Sequence, residues 1–264
     1  RGRALAAARL DCWEEEADGG PRPRTLLLRV DALQGASELQ VAEEAHAAVP
    51  SARYCHSYAL CTAPMRIFLF GGSTWEYGPG AQRPLCDLWA FDAQLGAWAA
   101  LDSLGEAPPP RDDAALCALR PDRLLLHGGF DGAERLGDAW LCTVAWEQRA
   151  ARWQRLATPG GAPCRRRRHA TVALDERTAV LHGGEKDGYP SVLDDTWVLR
   201  LGPAGLGSWR PLPAPGPRRQ GHTLHALSGR IVLVGHNEPD IYLLRQWRRE
   251  PWRLAARLPA ARGP

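Results

Sequence analysis

The chain has 264 residues, which is enough to bury the core of one large domain or of two small ones. Its hydrophobic share of 45% and its charged share of 24% are ordinary for a folded protein, and no apolar run approaches the ~18 residues of a membrane span. The net charge of +3 is too small to indicate a nucleic-acid partner by itself.

The seven cysteines are spread singly along the chain, and no two of them have the C-x-x-C spacing. This distribution favours neither a disulfide framework nor a zinc site, so we expect free, buried thiols. Free thiols indicate a reducing compartment, for which we take the cytoplasm, with the nucleus as the alternative.

The chain begins with two segments that are less regular than the rest. Residues 1–17 have only a weak helical periodicity and are predicted to be an irregular N-terminal segment. Residues 18–49 are predicted to be a partial repeat unit, because Gly19-Gly20 lies 52 residues before Gly71-Gly72.

Four longer segments follow that align with one another, and each is predicted to be one structural unit of a domain spanning residues 18–264. The four units are residues 50–107, 108–162, 163–216 and 217–260. Adjacent glycines start at Gly71, Gly128 and Gly183, and Gly235-His236 takes their place in the fourth unit. The intervals between these positions are 57, 55 and 52 residues.

Other residues recur in step with the glycines. An arginine followed three residues later by a histidine opens three units, while the second unit has Ala114 in place of the histidine. An Asp-x-Trp sequence follows the glycines in the first three units. A tryptophan near the end of every unit completes the pattern: Trp98, Trp153, Trp209 and Trp252.

Each unit has the pattern of four short strands separated by turn residues, which predicts four-stranded antiparallel blades of a β-propeller. The second strand is expected to run close to the central axis, where glycine at its end lets neighbouring backbones approach. The late tryptophans are expected to fill the layers between blades, because one blade cannot bury its two faces alone.

The glycine pair, the Asp-x-aromatic sequence, the late tryptophan and the opening Arg-x-x-His together resemble the kelch repeat. The resemblance covers about residues 50–258 and extends more weakly back to about residue 18. It implies an all-β, kelch-type β-propeller with four recognisable blades and a partial N-terminal one. Kelch propellers usually have six or seven blades, so we expect a fragment, an open or five-bladed ring, or a ring with an unrecognised blade.

In such a blade the connections between blades share a face with the loops between strands two and three, and we name this side the loop face. The resemblance implies that this face binds partner peptides and that arginines at the blade junctions contact acidic side chains. Aromatic residues beside arginines are also typical of protein-binding hot spots. The predicted partner-binding residues are Arg53, Tyr54, Trp75, Tyr77, Arg111, Phe130, Arg165, Arg166, Arg167, Arg168, Lys186, Tyr189, Arg218 and Arg219.

The run Arg165–Arg168 is the most distinctive single feature of the sequence. Four consecutive guanidinium groups could hold an acidic or phosphorylated peptide, whereas the alternative is a solvated loop in a protein rich in arginine. Nucleic acid is not expected as a partner, because acidic residues lie in the neighbouring loops.

The histidines raise an alternative from another class, because equivalent positions of successive blades surround one axis and imidazole binds copper and iron. That alternative is a metal-dependent enzyme on a kelch propeller, either an oxidase similar to galactose oxidase or a lyase similar to the specifier proteins. Histidines at repeat positions are, however, typical of structural roles. We therefore predict a protein-interaction scaffold or adaptor, with no catalytic residue, no metal site and no cofactor.

Overall fold

The computed structural model describes residues 6–15, 21–30, 40–42, 49–75, 82–213, 215–235, 240–244 and 252–257. The chain separates into two compact units, Arg1–Ala47 and Ala48–Pro264. Within the described residues the only helix is the short 3-10 helix Pro203–Gly205, and none forms a helix of the length and apolarity that a membrane span needs.

The first unit is a three-stranded antiparallel sheet of β1 (Ala6–Glu15), β2 (Pro21–Val30) and β3 (Gln40–Ala42). Strands β1 and β2 pair along their full length, from Ala6 opposite Val30 to Glu15 opposite Pro21. This differs from the irregular segment expected for residues 1–17, because pairing with a partner strand outweighs a weak local periodicity.

The second unit consists of four-stranded antiparallel blades in the predicted order. The strands of blade 1 are β4 (Ser57–Thr62), β5 (Met65–Phe70), β8 (Leu88–Asp92) and β9 (Ala97–Leu104), and its loop face carries the hairpin β6 (Ser73–Trp75) and β7 (Gln82–Pro84). The strands of blade 2 are β10 (Ala115–Arg120), β11 (Arg123–Phe130), β12 (Arg135–Ala145) and β13 (Ala150–Arg155).

Blades 3 and 4 repeat the same arrangement. The strands of blade 3 are β14 (Ala170–Asp175), β15 (Thr178–His182), β16 (Thr196–Leu201) and β17 (Gly207–Pro211). The strands of blade 4 are β18 (Thr223–Leu227), β19 (Arg230–Val234), β20 (Asp240–Leu244) and β21 (Arg253–Arg257). The prediction of an all-β propeller with four-stranded blades is thereby confirmed.

The order of strands relative to the axis differs from the expectation. The first strands of neighbouring blades, β4, β10, β14 and β18, contact one another, so the first strand and not the second is innermost. At the outer side, β9 and β13 pair in parallel at Ala150 and Asp102, which joins blades 1 and 2 into one eight-stranded sheet.

The glycine pairs allow adjacent blades to approach, as predicted. Gly128 has φ of +61°, and a Cβ atom there would lie 2.6 Å from the carbonyl oxygen of Arg166 in the next blade. Gly129 then donates its N–H to that same oxygen at 3.0 Å. A side chain at Gly128 would therefore separate the two blades.

Three apolar clusters hold the four blades together, one at each of the three blade interfaces. The tryptophan of the fourth strand lies in them: Trp153 packs edge-on against Phe70 of the preceding blade, with ring centroids 5.2 Å apart. Trp209 and Trp252 make the equivalent contacts with His127 and His182. The predicted role of these tryptophans is confirmed for three blades, whereas half-buried Trp98 contacts Phe91 of its own blade.

The burial of Trp153, which is 4% exposed, predicts a large effect of its removal. We expect Trp153→Ala to lower the free energy of unfolding by about 3–5 kcal/mol, because the substitution leaves a cavity between blades 1 and 2. The measurement is denaturant unfolding followed by circular dichroism. Arg152→Ala, on the exposed side of the same strand, is the control and should change stability by less than about 0.5 kcal/mol. A Trp153→Ala protein that melts within a degree of the parent would contradict this packing.

Candidate functional site

The connections between blades do share a face with the loops between strands two and three. Isolated β-bridges join the two kinds of segment in three blades: Tyr54 with Ser73, Asp112 with Phe130, and Arg167 with Glu185. In each of these blades the residue after the opening arginine is therefore paired to the residue that follows the glycine pair. This pairing assembles the loop face from equivalent positions of successive blades.

A series of backbone hydrogen bonds runs from blade to blade on this face. The N–H of Asp113 donates to the carbonyl of Cys55 at 2.8 Å, that of Arg168 to Asp113 at 2.9 Å, and that of Gly221 to Arg168 at 2.8 Å. All four residues have positive φ, between 49° and 67°. We call these four residues, Cys55, Asp113, Arg168 and Gly221, the axial rim, since they connect the innermost strands.

A buried cluster of arginine, aspartate and tryptophan lies beneath the rim in each of the first three blades. In blade 2 the Arg111 guanidinium donates two hydrogen bonds to Asp138 at 2.7 and 2.9 Å and a third to the Gly128 carbonyl at 3.0 Å. Trp140 donates its Nε1–H to the same carboxylate at 2.6 Å. We call this arrangement the clamp. The other clamps are Arg53–Asp87–Trp89 and Arg166–Asp195–Trp197.

The clamps correct part of the sequence prediction. The side chains of Arg111 and Arg166 are 0% exposed and that of Arg53 is 4% exposed, so none of these guanidinium groups can reach a partner on the loop face. Burial raises the pKa of Asp138, but the Arg111 guanidinium more than offsets this and holds that pKa below its ordinary value. The junction arginines contact acidic side chains, as kelch resemblance implied, but those side chains belong to this chain.

The run of four arginines is divided among different surroundings. Arg166 belongs to a clamp, whereas Arg165 is 61% exposed and pairs with Glu134. Arg167 donates to Glu185 at 2.5 Å and lies over the Phe130 ring, with its central carbon 5.0 Å from the centroid. Arg168 pairs with Asp113 at 3.0 Å. The run is therefore not one continuous cationic surface.

Hairpins project from the loop face beyond these ion pairs. In blade 3, Glu185 bridges to Val192 and leaves Tyr189 at the tip with 99% of its surface exposed. Lys186 lies half-buried on the same hairpin, and Arg218 pairs with Asp194 at 3.0 Å. Arg219 stacks over the Tyr242 ring in blade 4.

The aromatic residues predicted from blade 1 are only partly covered by the structure. The bridged backbone of Tyr54 is described, and burial raises the pKa of its hydroxyl. The side chain of Trp75 and the whole of Tyr77 lie outside the described residues. Phe130 is half-buried beneath Arg167 and offers a partner only part of its ring.

The repeated histidines form contacts between blades. His127 Nδ1 lies 2.9 Å from His169 Nε2, while His182 contacts Thr196 Oγ1 at 2.8 Å and the Pro217 carbonyl at 2.9 Å. Burial lowers the pKa of His127 to about 3 and that of His182 to about 4, so both imidazoles are neutral. Within the described ranges, no group of three or more metal-ligating side chains comes together.

The exception at Ala114 has a structural reason. In blades 2 and 3 the residue before the glycine pair is histidine and faces the opening histidine of the next blade. In blade 1 that residue is Phe70, which belongs with Ala114 to the same apolar cluster. The small side chain of Ala114 accommodates the phenyl ring, so both members of the pair differ together.

Sequence reasoning missed several residues of this surface. Gly221, Asp113 and Cys55 are equivalent, and a glycine at one of these positions was a signal for the left-handed conformation of all of them. Asp240 and Tyr242 also replace the Asp-x-Trp sequence in blade 4, since Tyr242 pairs with Leu233 as Trp140 pairs with Leu126. Arg135, which binds Glu185 at 3.0 Å and Asp187, had no equivalent in other repeats and gave no signal.

The free cysteines partly match the expectation. The six cysteines whose side chains the structure describes are free, but only Cys61, Cys117 and Cys142 among them are buried. Burial raises the pKa of Cys117 to about 12, which makes this thiol unreactive. Cys86 and Cys164 are exposed.

The burial of the clamp predicts that its Arg111–Asp138 pair contributes far more to the free energy of unfolding than the exposed pair of Arg165 with Glu134. Asp138→Ala should lower the free energy of unfolding by about 3–5 kcal/mol, because it leaves the Arg111 guanidinium buried without its partner. Glu134→Ala breaks the exposed pair with Arg165 and should cost at most about 1 kcal/mol. Denaturant unfolding of both proteins tests this, and equal losses would contradict the clamp.

The neutral histidines predict a decline of stability in mild acid. Burial holds the pKa values of His127, His169, His182 and His222 below 6.5, so unfolded imidazoles bind protons that folded ones do not. Stability should therefore fall as the pH drops below about 6.5 and continue to fall towards 4. Melting temperatures measured between about pH 7.5 and 4.5 test this decline in stability.

A matched variant isolates one histidine pair. His127→Phe with His169→Ala copies the Phe70–Ala114 pair of blade 1 and should make the decline between about pH 6.5 and 4.5 shallower. A melting temperature that stays level over this interval in the parent protein would show that the imidazoles are not neutral and buried.

Comparisons with known proteins agree with this architecture. The model of the KLHDC2/KLHL20/DRC7 Kelch-repeats domain matches residues 29–235. The solved structure of YjhT superposes with a TM-score of 0.58 at 15% identity, covering 88% of this chain and 78% of that one. At this identity the likeness concerns the fold.

Relatives with curated descriptions match over part of the chain. An F-box/kelch-repeat protein of Arabidopsis thaliana, At1g51550, is 29% identical over 153 residues, which are 52% of this chain and 32% of that protein. The serine/threonine-protein phosphatase BSL2 of the same plant is 35% identical over 162 residues, 61% of this chain and 15% of the phosphatase. The chain thus spans a third or less of the length of these relatives. With a family model matching more than half of its residues, the chain belongs to the kelch-repeat family.

Proposed function

We propose that this protein is an interaction module that binds a partner peptide or domain through its loop face and catalyses no reaction. One observation carries the proposal. The loop face combines side chains from successive blades on a backbone that the axial rim and the clamps hold in place. Variable side chains on a rigid framework are the usual basis of recognition surfaces.

The relatives support a binding role by their diversity. Besides the F-box protein and the phosphatase, a flagellar outer-arm dynein alpha chain of Chlamydomonas reinhardtii is 30% identical over 158 residues, which are 3% of that protein. A unit found in proteins of such different description is better explained by recognition than by one shared reaction.

The residues that we assign to the partner surface are the exposed ones among those predicted. Tyr189 offers a large exposed ring, and tyrosine is enriched at binding hot spots. Lys186 lies beside it on the same hairpin. Arg165, Arg168 and Arg218 have exposed fractions of 61%, 41% and 54% in their side chains.

An acidic or phosphorylated partner segment is consistent with the ion pairs at this surface. An exposed ion pair contributes at most about 1 kcal/mol, so a partner carboxylate or phosphate can replace the internal carboxylate beside Arg165 or Arg218. The clamps cannot exchange in this way, because their arginines are buried.

The enzymatic alternative requires histidines to bind a metal, and the geometry speaks against it. His127 and His169 contact each other, and both ring nitrogens of His182 contact protein atoms. A metal would have to break these contacts in the interior of the propeller. Elemental analysis of the purified protein distinguishes the two functions, since stoichiometric copper or iron would support the enzyme.

The binding proposal is tested with a selected peptide. Phage-displayed peptides are selected on the folded protein, and the best one is labelled and titrated by fluorescence polarisation. Tyr189→Ala with Lys186→Ala should weaken its binding at least about tenfold, a difference of about 1.4 kcal/mol. Arg165→Ser with Arg168→Ser should weaken it most at low salt, because exposed charges are screened by ions.

The control is Leu95→Ala in the exposed turn between β8 and β9, which lies outside the loop face. It should bind the peptide as the parent does. Selected peptides whose affinity is unchanged in both loop-face variants would show that the loop face is not the binding surface.

A further inference from the structure

Residues 185–192 form a hairpin that projects from the loop face, and we call it the blade 3 hairpin. Its tip, residues 187–190, is exposed throughout, and Tyr189 there has 99% of its surface exposed. None of these four described residues belongs to an apolar cluster. Hydrophobic packing therefore contributes little to the position of the Tyr189 ring.

Backbone contacts hold the base of the blade 3 hairpin. Glu185 and Val192 form an isolated bridge, and the N–H of Lys186 donates to the carbonyl of Ser191 at 2.8 Å. At the same end, the Arg218 guanidinium donates to the Val192 carbonyl at 3.0 Å. No backbone hydrogen bond is described for the tip, so the position of the tip depends on side-chain contacts.

Arg135, the first residue of β12 in blade 2, makes such a contact. One terminal nitrogen of its guanidinium donates to Glu185 Oε1 at 3.0 Å, and the other contacts Asp187. These two carboxylates lie 50 and 52 residues further along the chain, at the base and at the tip of the hairpin. A guanidinium presents its donors in a fixed planar fork, so one side chain of blade 2 spans both.

Glu185 gives this contact a fixed end. Its side chain is 12% exposed, and the Arg167 guanidinium donates to the same Oε1 atom at 2.5 Å. Arg135 is itself only 19% exposed, and charge-assisted hydrogen bonds are stronger where water is partly excluded. Asp187, which is 71% exposed, is thereby connected to a largely buried group of charges.

The repeat itself does not require an arginine at this position. The equivalent residue, opposite the one that follows the glycine pair, is Pro84 in blade 1 and Val192 in blade 3. Neither of these side chains can donate a hydrogen bond, and both blades form their four strands without one. The departure from the repeat at Arg135 favours a role in the loop face over a role in the fold.

We propose that Arg135 is a positioning residue, which holds the tip of the blade 3 hairpin and so places the Tyr189 ring before a partner arrives. The inference rests on the binding function proposed above and adds a residue that acts through the hairpin. A surface that is ordered before binding loses less conformational entropy when the partner docks. Arg135 therefore raises affinity through the contacts of Tyr189.

The positioning role is tested without a partner by hydrogen exchange followed by mass spectrometry. Arg135→Ala should speed the exchange of the amides in residues 185–192 by at least about threefold, because it releases the tip. Exchange in β11 and β12 should match the parent. Asp187→Ala, at the exposed end of the contact, should have a similar effect and replaces Arg135→Ala if that variant is not folded.

Two further variants separate the guanidinium from a general loss of charge. Arg135→Lys should give an intermediate exchange rate, because an ammonium group cannot span two carboxylates as a planar fork does. Arg152→Ala is the matched control, since it removes an exposed arginine of the same blade from the outer strand β13. The hairpin amides of this control should exchange as in the parent.

The consequence for recognition is measured with the selected peptide by fluorescence polarisation. Arg135→Ala should weaken binding about three- to tenfold. In a protein that already carries Tyr189→Ala and Lys186→Ala, the same substitution should have no further effect, because the hairpin no longer supplies its contacts. The melting temperature of Arg135→Ala should stay close to that of the parent, since Glu185 keeps Arg167 as its partner.

The positioning role and the binding function fail in different ways. Hairpin amides that exchange at the parent rate in both Arg135→Ala and Asp187→Ala would overturn the positioning role, as would an equal loss of affinity with and without the Tyr189 and Lys186 substitutions. Faster exchange together with parent-like binding by the protein that carries Tyr189→Ala and Lys186→Ala would support the positioning role and contradict the binding surface.

Discussion

The buried ion pair between a junction arginine and an aspartate of the third strand is the interaction on which the rest of the structure depends. Taking a guanidinium and a carboxylate out of water is costly, and only full hydrogen bonding offsets this cost. In blade 2 the Arg111 guanidinium binds both oxygens of Asp138 and the carbonyl of Gly128. The clamp therefore connects three separate segments of a blade: the entry, the glycine pair and the third strand.

This arrangement separates the framework from the surface. The first residue of each junction is buried in a clamp, whereas the second and third residues face the loop side and the axial rim. Those two positions are Tyr54-Cys55, Asp112-Asp113 and Arg167-Arg168 in the first three blades. The backbone there is set by bridges and by the rim hydrogen bonds, and the side chains at these positions differ from blade to blade. A recognition surface can consequently change while the fold stays the same.

The electrostatics of the loop face follow from the same arrangement. The arginines that remain near the surface of blades 2 and 3 are balanced by carboxylates within the chain, as at Arg167 and Arg135, which share Glu185. Burial raises the pKa of Glu185, yet the two guanidinium groups hold it below its ordinary value. A partner at this face therefore meets a network of paired charges, and specificity arises from which pairs it can exchange.

The sequence by itself determined the repeat, the four-stranded blades, the glycine pairs and the tryptophans between blades, because a recurring unit must bury the same faces each time. It also predicted which segments share the loop face. Only the tertiary structure decided which arginines are accessible, since the burial of Arg166 depends on Asp195, 29 residues away, while Arg165 next to it stays exposed. The match of Phe70 with Ala114 likewise depends on a contact between distant segments of the chain. The local sequence pattern indicates which structure a residue prefers, whereas the exposure of its side chain depends on which other parts of the chain pack against it.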